Sequence, residues 1–104
     1  MELLDARVRD ELEALPAGMR ARFRRIVELI QSHGLERMRE PHVKPLEGPL
    51  WEMRMKGKDG ISRAIYVTAR GRRVVVVRVF VKKTRKTPRR EIDLALERAK
   101  EVNP

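Results

Sequence analysis

Apolar residues recur along the chain with changing periods, and each period predicts an element. Leu4, Val8, Leu12 and Leu15 fall at i, i+4, i+8 and i+11, one stripe on a helix over about Ala6 to Leu15. Asp5 stands where a side-chain oxygen can cap its first amides. Pro16, Ala17 and Gly18 break the pattern. It resumes with Met19, Phe23, Ile26, Val27 and Ile30 on one face of a second helix, about Met19 to Ser32. Arg20, Arg22, Arg24, Arg25 and Glu28 lie mostly on its other faces. Gly34 suits its C-terminal end, and so short a connection predicts an antiparallel helical hairpin.

Between Leu35 and Pro49 the period is lost. Pro41, Pro45, Gly48 and Pro49 exclude a long helix or a central strand, so a loop is expected. Then the period becomes two. Over Leu50 to Lys56, Trp51, Met53 and Met55 alternate with Glu52, Arg54 and Lys56, which predicts a strand with one apolar and one charged face. Lys58-Asp59-Gly60 supplies a turn. A second strand is expected over Ile61 to Ala69, a turn at Arg70-Gly71-Arg72, and a third strand over Arg73 to Val81. The third is Val-rich on both faces, the mark of a central strand covered above and below. Arg78 interrupts it and needs a partner or a route to solvent. A last helix starts near Pro88, with Thr87 as cap and Pro88 at the first helical position; Ile92, Ala95, Leu96, Ala99 and Val102 line its apolar face.

This order predicts an α+β fold in a single domain spanning residues 1–104: an N-terminal helical hairpin packed on a small antiparallel sheet, with a C-terminal helix. Only about Glu2 to Leu4 is left to form any N-terminal strand. Trp51 belongs either to the core or to a docking site, with the core favoured.

Charge changes the picture. The formal net charge is +10. Residues 1–49 hold nine Lys+Arg and nine Asp+Glu, and residues 50–104 hold sixteen and six, so the whole excess falls in the second part. Its densest stretch, Lys82 to Arg90, has six cations and no acid. Such a field attracts polyanions, and nucleic acid or the ribosome is the expected partner. No apolar run approaches a membrane span, the N-terminus lacks the basic and apolar regions of a signal peptide, and no cysteine is present. A cytoplasmic, reducing setting without a membrane partner is therefore expected.

The familiar catalytic sets fail one by one. His33 and His42 are the only histidines, and they form no metal-binding pattern. Ser32 and Ser62 offer no nucleophile with an arguable base, and no Gly-rich phosphate loop exists. No metal or cofactor is implied. What remains is a set of cations on strands: Arg54, Lys56, Arg63 and Arg78, with Lys82 and Lys83 leaving the third strand. In a meander these can converge, grip phosphate and stabilise the charge that builds up when a phosphodiester is cut. RNA supplies its own nucleophile, the 2′-OH, so a metal-free ribonuclease needs only cations and one proton acceptor. The same residues equally suit the outward face of an ordinary basic sheet.

Three runs carry a resemblance: Lys44-Pro-Leu-Glu-Gly-Pro-Leu-Trp-Glu-Met-Arg54, Gly60-Ile-Ser-Arg-Ala-Ile-Tyr-Val67 and Phe80-Val-Lys-Lys-Thr-Arg-Lys-Thr-Pro88. Together they resemble the RelE/ParE toxin superfamily, most closely its HigB-like, phage-derived branch. The helical part, Arg7-Val-Arg-Asp-Glu-Leu-Glu-Ala-Leu-Pro16, is similar to that branch as well. The resemblance implies a RelE-like fold and a toxin that cuts mRNA in the ribosomal A site, held inactive by a helix-turn-helix, HigA-like antitoxin. By position it implies catalytic roles for Arg54, Arg63, Lys82 and Lys83, RNA or rRNA contacts for Arg85 and Lys86, and a carboxylate base at Glu40. Lys56 and Arg78 join the RNA-contact set as neighbouring strand cations. Three positions depart from the family: Glu52 replaces one of two strand lysines, no tyrosine follows Lys83, and Arg78 replaces a histidine. A ParE-like gyrase inhibitor and a non-catalytic nucleic-acid-binding domain remain alternatives. An antitoxin would be expected to lay an acidic segment over the basic face.

Overall fold

A computed structural model of the chain describes residues 2–33, 43–57, 60–69, 73–82 and 86–102, leaving aside the side chains of Ile30, His33 and Lys82. In chain order the elements are β1 (Glu2–Leu3), α1 (Ala6–Glu13), α2 (Ala17–His33), β2 (Val43–Glu47), β3 (Leu50–Gly57), β4 (Gly60–Ala69), β5 (Arg73–Lys82) and α3 (Arg89–Ala99). The strands form one sheet in the order β1-β5-β4-β3-β2. β1 runs parallel to β5 and the other neighbours are antiparallel, so the fold is α+β with a mixed sheet rather than a wholly antiparallel one. Two residues are too few to show a period, which is why β1 is hard to read from pattern alone.

Local chemistry sets the boundaries. Asp5 caps α1 as expected, its carboxylate accepting from the Arg7 amide at 2.9 Å. α1 stops at Glu13, and the Leu15 N–H donates to the Leu12 carbonyl in a tight turn. The Pro16 carbonyl accepts from the amides of Met19 and Arg20, so α2 begins at Ala17, earlier than its apolar stripe. Residues Val43–Glu47, read as loop, form β2. Pro45 is admitted there because β2 is the sheet's edge, where a missing amide costs no ladder bond. Gly48, at φ 52°, turns the chain into β3.

Strand parity sorts the sheet into two faces. Met53, Met55, Ala64, Tyr66, Val76 and Val79 pack with Val8 of α1 and Met19, Phe23 and Ile26 of α2. Leu50, Ile65, Val67, Val75, Val77 and Phe80 pack with Ala95 of α3, flanked by Ile92, Leu96, Ala99 and Val102. β5 is thus covered on both sides, as its valines require. The two N-terminal helices rest on different strands, α1 on β5 and α2 on β3.

A bulge interrupts β5. Ile65 pairs with Arg78 but Tyr66 pairs with Val76, which leaves Val77 as the extra residue. β1 covers β5 only at Val75 and Val76, so the strand edge is open beyond them. Side chains close it: Arg98 donates to the Val77 carbonyl at 2.9 Å, and the Val79 amide donates to Glu11 at 3.0 Å. Glu11 also pairs with Arg98 at 2.8 Å and Arg78 at 2.7 Å, and Arg78 reaches Glu91 at 3.0 Å. This network ties α1 to α3 across the sheet edge. Among the described residues, no helix is long and apolar enough to cross a membrane.

Candidate nucleic-acid interface

The alternation read in β3 holds: Met53 and Met55 face the N-terminal helices, and Glu52, Arg54 and Lys56 face the α3 side. Register then builds three rows across the sheet on that side. Lys56 stands opposite Ile61, which stands opposite Lys82; Arg54 stands opposite Arg63, which stands opposite Phe80; Glu52 stands opposite Ile65, which stands opposite Arg78. With strands about 4.8 Å apart, the Cα atoms of the outer members of a row lie roughly 10 Å from each other.

Arg54 and Arg63 are therefore direct cross-strand neighbours of like charge, an arrangement that costs stability unless an anion intervenes. Glu52 is that anion. Its carboxylate pairs with Arg63, accepts a hydrogen bond from the Thr87 hydroxyl, and lies 3.9 Å from the Lys44 ammonium. Glu52 and Arg63 are almost wholly buried, with side chains 1% and 3% exposed. Burial lowers the pKa of the Arg63 guanidinium. Arg63, expected to touch phosphate directly, is thus turned inward against a carboxylate. Arg54 is half-buried, and its Nε is buried with no hydrogen-bond partner among the described residues. Lys56 and Lys86 are exposed.

Arg78 serves another purpose. Its Nε and one terminal nitrogen engage Glu91 and the other terminal nitrogen engages Glu11, while the guanidinium carbon lies 5.7 Å from the Phe80 ring centre. Burial opposes its charge, but the two carboxylates outweigh burial and hold its pKa above the ordinary value. Arg78, expected to contact RNA, is thus held between two carboxylates in a partly buried ion-pair hub. Thr87, expected to cap α3, is also redirected. Pro88 is the N-cap residue with no side-chain cap, and the Thr87 hydroxyl is spent on Glu52. It thereby docks the start of α3 onto the charged row.

Glu40, Lys83 and Arg85 lie outside the described residues, as does the side chain of Lys82. Among the described residues no group of three or more His, Asp or Glu is placed to hold a metal ion. Sequence reasoning overlooked Glu52 and Thr87 as a bridge; the parity that put Glu52 on the cation face was the available signal.

Among the described residues the arrangement is a cationic patch over the buried Glu52. Arg54 and Lys56 sit on its surface, and the backbone of Lys82 runs two strands away. A family model described as Phage derived protein Gp49-like (DUF891) matches residues 10–100. Comparison with curated proteins gives no match. The matched span takes in every strand of the cation face and nearly all of the helical scaffold, and the chain belongs to the Gp49-like phage-derived family, a family of RelE/HigB-type toxins whose partners are antitoxins.

Proposed function

We propose that the chain is a HigB-like, ribosome-dependent mRNA endonuclease acting in the cytoplasm, and that its cation face binds the transcript. The observation that carries this reading is the row in which Arg54 meets Arg63, with Lys56 beside it and the buried Glu52 paired to Arg63. Arg54 and Lys56 would hold the scissile phosphate, with Lys82 and Lys83 adding charge from the end of β5 and Arg85 and Lys86 extending the RNA contact. Arg63, paired with Glu52, would act from below by holding the strand and its neighbour Arg54 in place rather than by a direct contact. In the reaction the 2′-oxygen forms a bond to phosphorus as its proton passes to a base. The bond to the 5′-oxygen breaks, that oxygen takes up a proton, and a cyclic phosphate remains. Fixed cations stabilise the extra charge of the pentavalent state more than the ground state. Glu52 is unsuited to be the base, because Arg63 and Thr87 occupy its carboxylate. Glu40 is the proposed base.

The test is cleavage of ribosome-bound mRNA by the purified chain. Arg54→Ala is expected to slow cutting by about 100-fold or more, the usual cost of removing one charge-stabilising donor. Cutting at the parent rate would overturn the assignment. Inhibition of gyrase supercoiling without any RNA cleavage would favour the ParE-like alternative.

A further inference from the structure

On the side of the sheet away from the cation face, α1 and α2 enclose a surface groove of about 240 Å³ lined by Leu12, Arg20, Phe23, Arg24 and Val27. Its floor is apolar, with Leu12 and Val27 only partly buried against the helical core. Its wall is cationic. Arg20 and Arg24 are one helical turn apart, a like-charge pair that disfavours the helix on its own. Neither has a carboxylate partner among the described residues; Arg20 donates to the Glu13 carbonyl at 2.9 Å instead. Arg22, one more cation on α2, is exposed nearby.

We infer that this groove is the docking site for an acidic amphipathic helix of the antitoxin, an inference that rests on the toxin–antitoxin membership of the family. An apolar floor beside two uncompensated arginines fits a helix carrying apolar residues on one stripe and Asp or Glu at i and i+4 beside it. A nucleic acid fits poorly, because the groove's one aromatic, Phe23, is buried and offers no face for stacking a base. A second copy fits poorly too, since it would set this arginine-rich wall against another chain of net charge +10.

The experiment titrates the full chain with the antitoxin obtained by co-expressing the neighbouring reading frame, alongside retention of a short single-stranded RNA. The variant is the double reversal Arg20→Glu/Arg24→Glu, with Arg24→Glu alone as the milder companion and circular dichroism to verify folding. Affinity for the antitoxin should fall by about tenfold or more per reversed arginine. RNA retention should stay within about twofold, because the groove and the cation face lie on opposite sides of the sheet. Unchanged antitoxin affinity in both variants overturns the groove assignment. Loss of RNA retention with antitoxin binding intact also overturns it and gives the ridge to nucleic acid. Failure of the parent chain to bind the antitoxin overturns the toxin reading and the groove with it.

Discussion

Position 52 shows how one carboxylate decides what its neighbours can do. Glu52 is almost fully buried, yet it compensates Arg63 and receives the Thr87 hydroxyl. Removing its charge takes a paired carboxylate away from a buried guanidinium, which is strongly destabilising. Glu52→Gln should cost about 3–5 kcal/mol in urea unfolding. Pairing Glu52→Leu with Arg63→Met should recover most of that loss, because an apolar pair of similar volume needs no compensation. A Glu52→Gln variant as stable as the parent would show that Arg63 finds its counter-charge elsewhere. Tyr66, on the opposite face, presents the reverse situation. Its hydroxyl is buried with no hydrogen-bond partner among the described residues, and burial raises its pKa above the ordinary 10.0. A raised folded pKa means that this stabilisation is complete below about pH 10 and fades as pH climbs through the folded value. Tyr66→Phe should therefore match the parent within about 1 kcal/mol at pH 7. At pH 11 it should be the more stable of the two. Identical stabilities of parent and variant at pH 11 would mean that the phenolate is accommodated.

Elements were legible where a period ran long enough to be counted. β3 showed its two faces because methionines alternate with Glu52, Arg54 and Lys56, and β5 showed its central position through valines on both faces. β2 was hidden by Pro45, a residue that argues against interior strands but not against an edge. Arg78 signalled that a partner was needed, but the partners sit 67 positions before it and 13 after it, distances that no local pattern spans. The bulge at Val77 was equally silent, since its unpaired backbone is satisfied by Glu11 and Arg98 from two separate helices. Trp51 shares the methionine parity yet is 37% exposed, because its register partner Pro45 belongs to the edge strand and the sheet's rim. The candidate site was legible as a list of cations on one face. The division of that list into the exposed Lys56, the half-buried Arg54, and the carboxylate-paired Arg63 and Arg78 was not, because it depends on where Glu52, Glu11 and Glu91 arrive in space.

Charge in the whole molecule is arranged differently from charge along the chain. The second part of the sequence carries the entire excess, but acids from the first part fold onto it: Glu2 pairs with Arg73, Glu11 with Arg78 and Arg98, and Glu47 with Arg89. Among the described residues, folding thus pairs much of the sheet and α3 with acids, while Arg20 and Arg24 of α2 have no carboxylate partner. Cations without a carboxylate partner among the described residues accordingly occur on the cation face, at Arg54 and Lys56, and on α2, at Arg20 and Arg24. If the cation face alone binds RNA, the salt dependence of binding counts only its own contacts. Each phosphate neutralised on a single strand contributes a slope of about −0.7 in log K against log salt, so four to six contacts give about −3 to −4. The double variant Arg54→Ala/Lys56→Ala should flatten that slope by about 1.4, and Arg20→Glu/Arg24→Glu should leave it unchanged. Retention of a short single-stranded RNA, measured across a salt series for the three proteins, reads this directly. A slope that responds to the α2 reversal and ignores Arg54 and Lys56 would move the RNA to the helical side and end the case for the sheet face.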